Sequence, residues 1–87
     1  MIKKTIHEGA FWVLYDPVEN MYFRRVDAEL NFQLLMEADV NYACRYNSQN
    51  QAYLTRKYLI KDCPGREAEK AARLEIKLVE VTFVMVD

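Results

Sequence analysis

Residues 10–26 (AFWVLYDPVENMYFRRV) predict a β-hairpin that is apolar on both of its faces. Two β-prone runs flank residues 16–20, a five-residue connection in which Pro17 supplies the backbone angle that a turn needs. Pairing Tyr15 with Met21 places Val13 opposite Phe23. Side chains alternate along a strand. One predicted face therefore carries Phe11, Val13, Tyr15, Met21 and Phe23, and the other carries Trp12, Leu14, Tyr22 and Arg24.

The second face of this hairpin requires a cover, because a small domain has enough helix for only one side of its sheet. Large aromatic side chains bury about 150–250 Å² each. Covering the face would remove roughly 400 Å² of apolar surface from water, a gross gain near 10 kcal/mol at about 25 cal/mol per Å². Three covers are possible: residues 27–38 or the connector at residues 66–73, a protein partner or second copy, or single-stranded nucleic acid.

Residues 48–62 predict the main helix. Ser48 is a good N-cap, and Gln51 three residues later completes a capping-box pattern. Pro64 and Gly65 end the helix, because proline cannot continue it and glycine tolerates a reversed backbone. Along the helix, one apolar stripe is formed by Ala52, Tyr53, Leu59, Ile60 and Cys63, and a smaller patch by Leu54 and Tyr58.

Residues 78–86 predict a C-terminal strand, because apolar residues alternate along it. The alternation changes phase after Leu74, Ile76 and Leu78, which predicts a bulge or a strand start near Leu78. Residues 27–38 fit a strand or a helix; we expect an extended piece and then a helical turn around residues 37–44. Residues 66–73 have high helical propensity and predict an exposed turn of helix or a charged connector.

Together these elements predict a single α+β domain over residues 1–87, in which a small antiparallel sheet packs on one main helix. The sheet consists of the hairpin and the C-terminal strand. The predicted parts are an N-terminal arm at 1–9, with or without a short extended piece at Thr5–Ile6, the hairpin at 10–26, the helix at 48–62 and the strand at 78–86.

The composition excludes several classes of protein. Twelve basic and thirteen acidic residues give a net charge of −1, whereas a dedicated phosphate-backbone binder has a basic excess and a DNA mimic an acidic one. The apolar runs are too short for a signal sequence or a membrane span. We therefore expect a cytoplasmic protein in which Cys44 and Cys63 stay reduced.

The inventory of reactive side chains predicts a protein that is not an enzyme. His7 is the single histidine, and the two cysteines have no neighbours at metal-ligand spacing. Two glycines are too few for a glycine-rich phosphate loop. We expect no catalytic residues, no metal site and no cofactor.

The pattern Ala43-x-x-Tyr46-x-Ser48-x-x-x-Ala52, preceded by an aromatic hairpin, resembles small uncharacterised proteins encoded by phages and prophages of Gram-positive bacteria. The resemblance spans about residues 11–60 and carries no catalytic residues. It implies a protein that binds and blocks host proteins, including defence nucleases.

These observations predict a protein-binding module, either an inhibitor of a host defence protein or a self-associating chain. The alternative is a single-stranded nucleic-acid binder that uses the same aromatic face. The expected partner contacts are Trp12, Leu14, Tyr22 and Arg24, with a secondary contact at Arg56, Lys57 and Lys61.

Overall fold

The computed structural model describes the backbone of residues 3–86 and the side chains of residues 9–82. Four antiparallel strands form one sheet in the order β3-β2-β1-β4. Two helices lie between β3 and β4 in the chain, so the α+β class is confirmed. The elements are β1 (Lys3–Asp16), β2 (Met21–Asp27), β3 (Gln33–Glu37), a 3-10 turn (Val40–Tyr42), α1 (Gln49–Asp62), α2 (Gly65–Ala72) and β4 (Glu75–Val86).

Helix α1 begins and ends where the sequence predicts. The hydroxyl of Ser48 accepts a hydrogen bond from the amide of Gln51 at 3.2 Å. The reciprocal bond is made by the amide of Asn47, which donates to Gln51 Oε1 at 3.1 Å, one residue earlier than a capping box requires. Pro64 is the N-cap of α2, so the same Pro-Gly pair that ends α1 also starts a second helix.

The predicted bounds of two elements are wrong. Strand β1 begins at Lys3, so the described part of the predicted arm is the first half of a long strand; residues 1 and 2 lie outside the described residues. Strand β4 begins at Glu75 and pairs with β1 without a bulge near Leu78. The register shift of this ribbon lies on β1, between His7 and Gly9.

The change of phase along β4 has a different cause from the one predicted. Leu74 and Ile76 pack beneath the helices, whereas Val79 and Val81 pack on the opposite face of the sheet with Phe11. The apolar residues change sides because the covered face changes along the strand. A regular strand therefore produces the same sequence pattern as a bulge.

The predicted register of the hairpin is wrong by one residue. Tyr15 pairs with Tyr22, and Asp16 pairs with Met21. A shift of one residue moves every side chain of a strand to the other face relative to its neighbour. As a result, Phe23 lies beneath the helices, and Tyr22 lies on the opposite face.

β1 and β2 pair directly at Tyr15–Tyr22 and Asp16–Met21, and farther from the turn residues 43–46 lie between the two strands. Trp12 and Tyr46 exchange both backbone hydrogen bonds, at 2.8 and 2.9 Å, and the amide of Cys44 donates to Phe23 O at 2.9 Å. Ala43 packs on the face opposite the helices, whereas Tyr46 packs beneath them. This segment therefore lies in the plane of the sheet, where Ala43 helps to cover the face opposite the helices from within the chain.

A buried ion pair joins the hairpin turn to the end of α2. Asp16 has no exposed surface, and Arg73 contacts both of its carboxylate oxygens at 2.9–3.1 Å. The amide of Val18 donates to the same carboxylate at 2.9 Å. Burial by itself raises the pKa of Asp16, but the hydrogen bonds from Arg73, Val18 and Glu19 bring that pKa below its ordinary value.

Candidate functional site

The four residues expected to contact a partner do not form one surface. Leu14 is completely buried, and Trp12 packs half-buried against the same core beneath the helices. Tyr22 lies on the opposite face, with its ring 5.2 Å from that of Tyr15. Arg24 occupies the bulge of β2 and contacts Glu37 at 2.8 Å. The one-residue change of register separates Tyr22 from the first two residues.

The predicted secondary contact is also divided. Arg56 donates to Leu74 O at 2.8 Å and to Ala72 O, so its guanidinium caps the chain where α2 ends. Lys57 and Lys61 are exposed on α1. Arg56, the one arginine of the predicted secondary contact, therefore has a structural role.

A groove of about 540 Å³ lies between α1 and the loop that joins β2 to β3. We call it the α1–loop groove. Tyr58 and Phe32 stand at its walls and are 70% and 48% exposed. Leu54, which is 53% exposed, continues the apolar surface along α1 beside Tyr58. The groove is lined by Val26, Ala28, Phe32, Tyr58, Leu59, Asp62 and Cys63.

The loop holds Phe32 in a conformation that large residues rarely adopt. Asp27 Oδ1 accepts hydrogen bonds from the amides of Glu29 and Leu30 at 3.0 and 3.3 Å. Asn31 and Phe32 follow with φ of 55° and 59°. The left-handed conformation costs a residue with a side chain about 1–2 kcal/mol, and such strain clusters at functional sites.

The groove is apolar with an acidic side. Asp62 is the charged residue among those that line it. Burial raises the pKa of the Cys63 thiol, and the negative charges of Glu67 and Asp62 raise it further. The Cys63 side chain is buried in the core, and Asp62 supplies a negative charge at the groove.

Sequence reasoning missed this groove for an identifiable reason. Phe32 falls in residues 27–38, where strand and helix patterns overlap, and Tyr58 belongs to the smaller apolar patch of the predicted helix. The available signal was Asp27 followed at short distance by Asn31, because both residue types favour tight turns and a left-handed backbone.

Among the described side chains, no group of three His, Cys, Asp or Glu residues lies close enough to hold a metal ion. The side chain of His7 lies outside the described set. Neither α1 nor α2 is long and apolar enough to cross a membrane. Comparison with protein-family models, with curated proteins and with solved structures gave no match.

Proposed function

We propose that the chain is a non-enzymatic protein-binding module that receives a large apolar side chain of a partner in the α1–loop groove. The observation that carries the proposal is the exposure of Tyr58 and Phe32 around one depression, with exposed Leu54 extending the apolar surface beside Tyr58. At about 150–250 Å² for a large side chain, these exposed fractions correspond to roughly 300 Å². That area is comparable to the largest apolar patch of a typical monomer.

The size of this patch sets its role in an interface. Burying roughly 300 Å² gives about 7 kcal/mol of gross stabilisation, whereas a micromolar complex needs a net free energy of about −8 kcal/mol. Association also costs translational, rotational and side-chain entropy. The groove therefore acts as the energetic centre of a larger contact. Asp62 favours a partner that presents a basic residue next to its apolar anchor.

The class of partner rests on the resemblance to phage-encoded accessory proteins. That resemblance supports a cytoplasmic host protein as the target, and inhibition of a defence protein as the outcome. The alternative function, binding of single-stranded nucleic acid, has less support, because Arg24 and Arg56 already make intramolecular contacts.

The test compares two tyrosines on the same helix. Tyr58 lines the groove, whereas Tyr53, which is 49% exposed, lines a separate depression with Ile76. A displayed library of random peptides is selected on the wild-type protein, and the enriched peptides are then titrated against Tyr58→Ala and Tyr53→Ala. We expect enrichment of a large apolar residue next to Lys or Arg, with at least tenfold weaker binding for Tyr58→Ala alone.

Equal losses in the two variants contradict the proposal, as does a failure to enrich any peptide. Titration with single-stranded oligonucleotides at two salt concentrations tests the alternative. Binding that falls steeply with added salt indicates contacts to phosphates. That result supports single-stranded nucleic acid as the partner and contradicts a protein partner.

A further inference from the structure

We propose that the outer edge of β4 pairs in antiparallel fashion with β4 of a second copy of this chain. β4 is the last strand in the order β3-β2-β1-β4, and in the described part of the chain it pairs with β1 alone. The strand runs from Glu75 to Val86. Its outward N–H and C=O groups match an extended backbone, so the chemistry of the edge specifies a strand as the occupant.

The other edges of the sheet are protected against such pairing. β3 is only five residues long, and the amide of Leu34 donates to Glu67 Oε2 at 2.7 Å. The first half of β1 contains Lys3 and Lys4, and its pairing with β4 shifts register between His7 and Gly9. Short edges, lysines and bulges are the features that block edge pairing.

β4 lacks these protections over most of its length. It contains no proline and no register shift on its own strand, and its charged residues are Glu75, Lys77 and Glu80. Leu78 is 49% exposed. The edge is therefore long, regular and largely apolar, which is the pattern that predicts strand pairing between molecules.

The shape of the molecule supports the same conclusion. The chain measures 54 × 23 × 22 Å, and its radius of gyration is 15.5 Å, whereas a compact chain of this length has about 12 Å. The long dimension corresponds to the ribbon of β1 and β4, which pair from Lys3–Val86 to Tyr15–Glu75. A two-stranded ribbon is marginally stable in water, so a second copy stabilises the ribbon by adding strands to it.

Charge determines the register of this pairing. A two-fold axis perpendicular to the sheet places one residue of β4 opposite its own copy. The longest symmetric overlaps are centred on Glu80, pairing residues 75–85, or on Val81, pairing residues 76–86. The first places Glu80 opposite Glu80, which is unfavourable. The second places Glu80 opposite Thr82 and Leu78 opposite Val84, so the structure favours the register centred on Val81.

Disulfide cross-linking tests this register directly. Val81→Cys places two thiols opposite each other at the two-fold axis, within the Cα separation of about 4.4–6.8 Å that a disulfide needs. Lys77→Cys is the control on the same strand: its two copies lie about 27 Å apart, at about 3.4 Å per residue. Under mild oxidation we expect a covalent dimer from Val81→Cys, and none from Lys77→Cys or from the wild-type chain.

A pair of lysine substitutions tests the same contact without oxidation. Val81→Lys sets two lysines opposite each other, whereas Thr82→Lys adds the same charge opposite Glu80 of the second copy. By light scattering we expect at least tenfold weaker dimerisation for Val81→Lys and an intact dimer for Thr82→Lys. A monomeric wild-type chain overturns the proposal, and so does equal cross-linking of the two cysteine variants. Neither outcome affects the groove, which uses different residues.

Discussion

Replacing Asp16 by Asn removes the charge of the buried carboxylate and keeps the size of the side chain. The remaining oxygen still accepts from the amide of Val18. The new amide group cannot accept a hydrogen bond, so Arg73 loses the two-oxygen contact that joins the hairpin to the end of α2.

The expected cost follows from the burial of the two partners. Breaking a fully buried ion pair costs about 3–5 kcal/mol, and a hydrogen bond to a charged group contributes about 1.5–3 kcal/mol. The side chain of Arg73 is 34% exposed, so water solvates the freed cation. We therefore expect a loss of about 2 kcal/mol in the free energy of unfolding, a fall in Tm of roughly 8–16 °C for a domain of this size.

The pH dependence has a defined sign. The pKa of Asp16 is lower in the folded chain than its ordinary value, so the folded state binds this proton less tightly than the unfolded state does. The stabilisation is fully present above the unfolded pKa of about 3.9, and it is lost as the pH falls through the folded pKa. The gap between wild type and Asp16→Asn should therefore narrow on acidification.

Urea unfolding, followed by circular dichroism from neutral pH down to below the unfolded pKa, measures both effects. Asp39→Asn is the matched control, because Asp39 is exposed and caps a turn through the amide of Asn41 at 2.9 Å. We expect this control to cost less than about 1 kcal/mol. Equal costs for the two variants at neutral pH, or a gap that stays constant with pH, would refute the reasoning.

Two further substitutions separate stability from binding. Phe32→Gly removes the ring and relieves the left-handed strain, so the free energy of unfolding should change by less than about 1 kcal/mol. Peptide binding should weaken at least tenfold. Urea denaturation and peptide titration measure the two effects, and a large loss of stability contradicts the role given to the loop. Arg56→Met keeps the apolar stem but loses the hydrogen bonds to Leu74 O and Ala72 O. The free energy of unfolding, measured in urea, should fall by about 1–3 kcal/mol. Unchanged stability contradicts the capping role of Arg56.

The elements that depend on neighbouring residues could be predicted from the sequence. Ser48 caps α1, and Pro64 interrupts the helical chain, because each acts on the backbone within one turn. The hairpin strands were also predicted, since their composition favours extended backbone. Which side chains a strand packs against depends on residues far away in the sequence, and the predicted register of the hairpin was wrong for that reason. Asp16, at the hairpin turn, is held by Arg73, a residue 57 positions later.

The candidate groove could not be predicted for the same reason. Tyr58 and Phe32 belong to different elements, and only the packing of the loop against α1 brings them to one depression. Trp12 and Leu14 have the composition of a binding surface, yet residues 43–46 and the helices bury or half-bury them. An aromatic residue looks the same in a sequence whether its cover is a partner or the chain itself.

The position of residues 43–46 between β1 and β2 also bears on the order of folding. A hairpin closes in about 1–10 μs, and the segment that bonds to Trp12 and Phe23 follows β3, later in the chain. Strands that zip together completely at this early stage must separate again to admit that segment. We therefore expect a substitution that tightens the isolated hairpin to slow refolding.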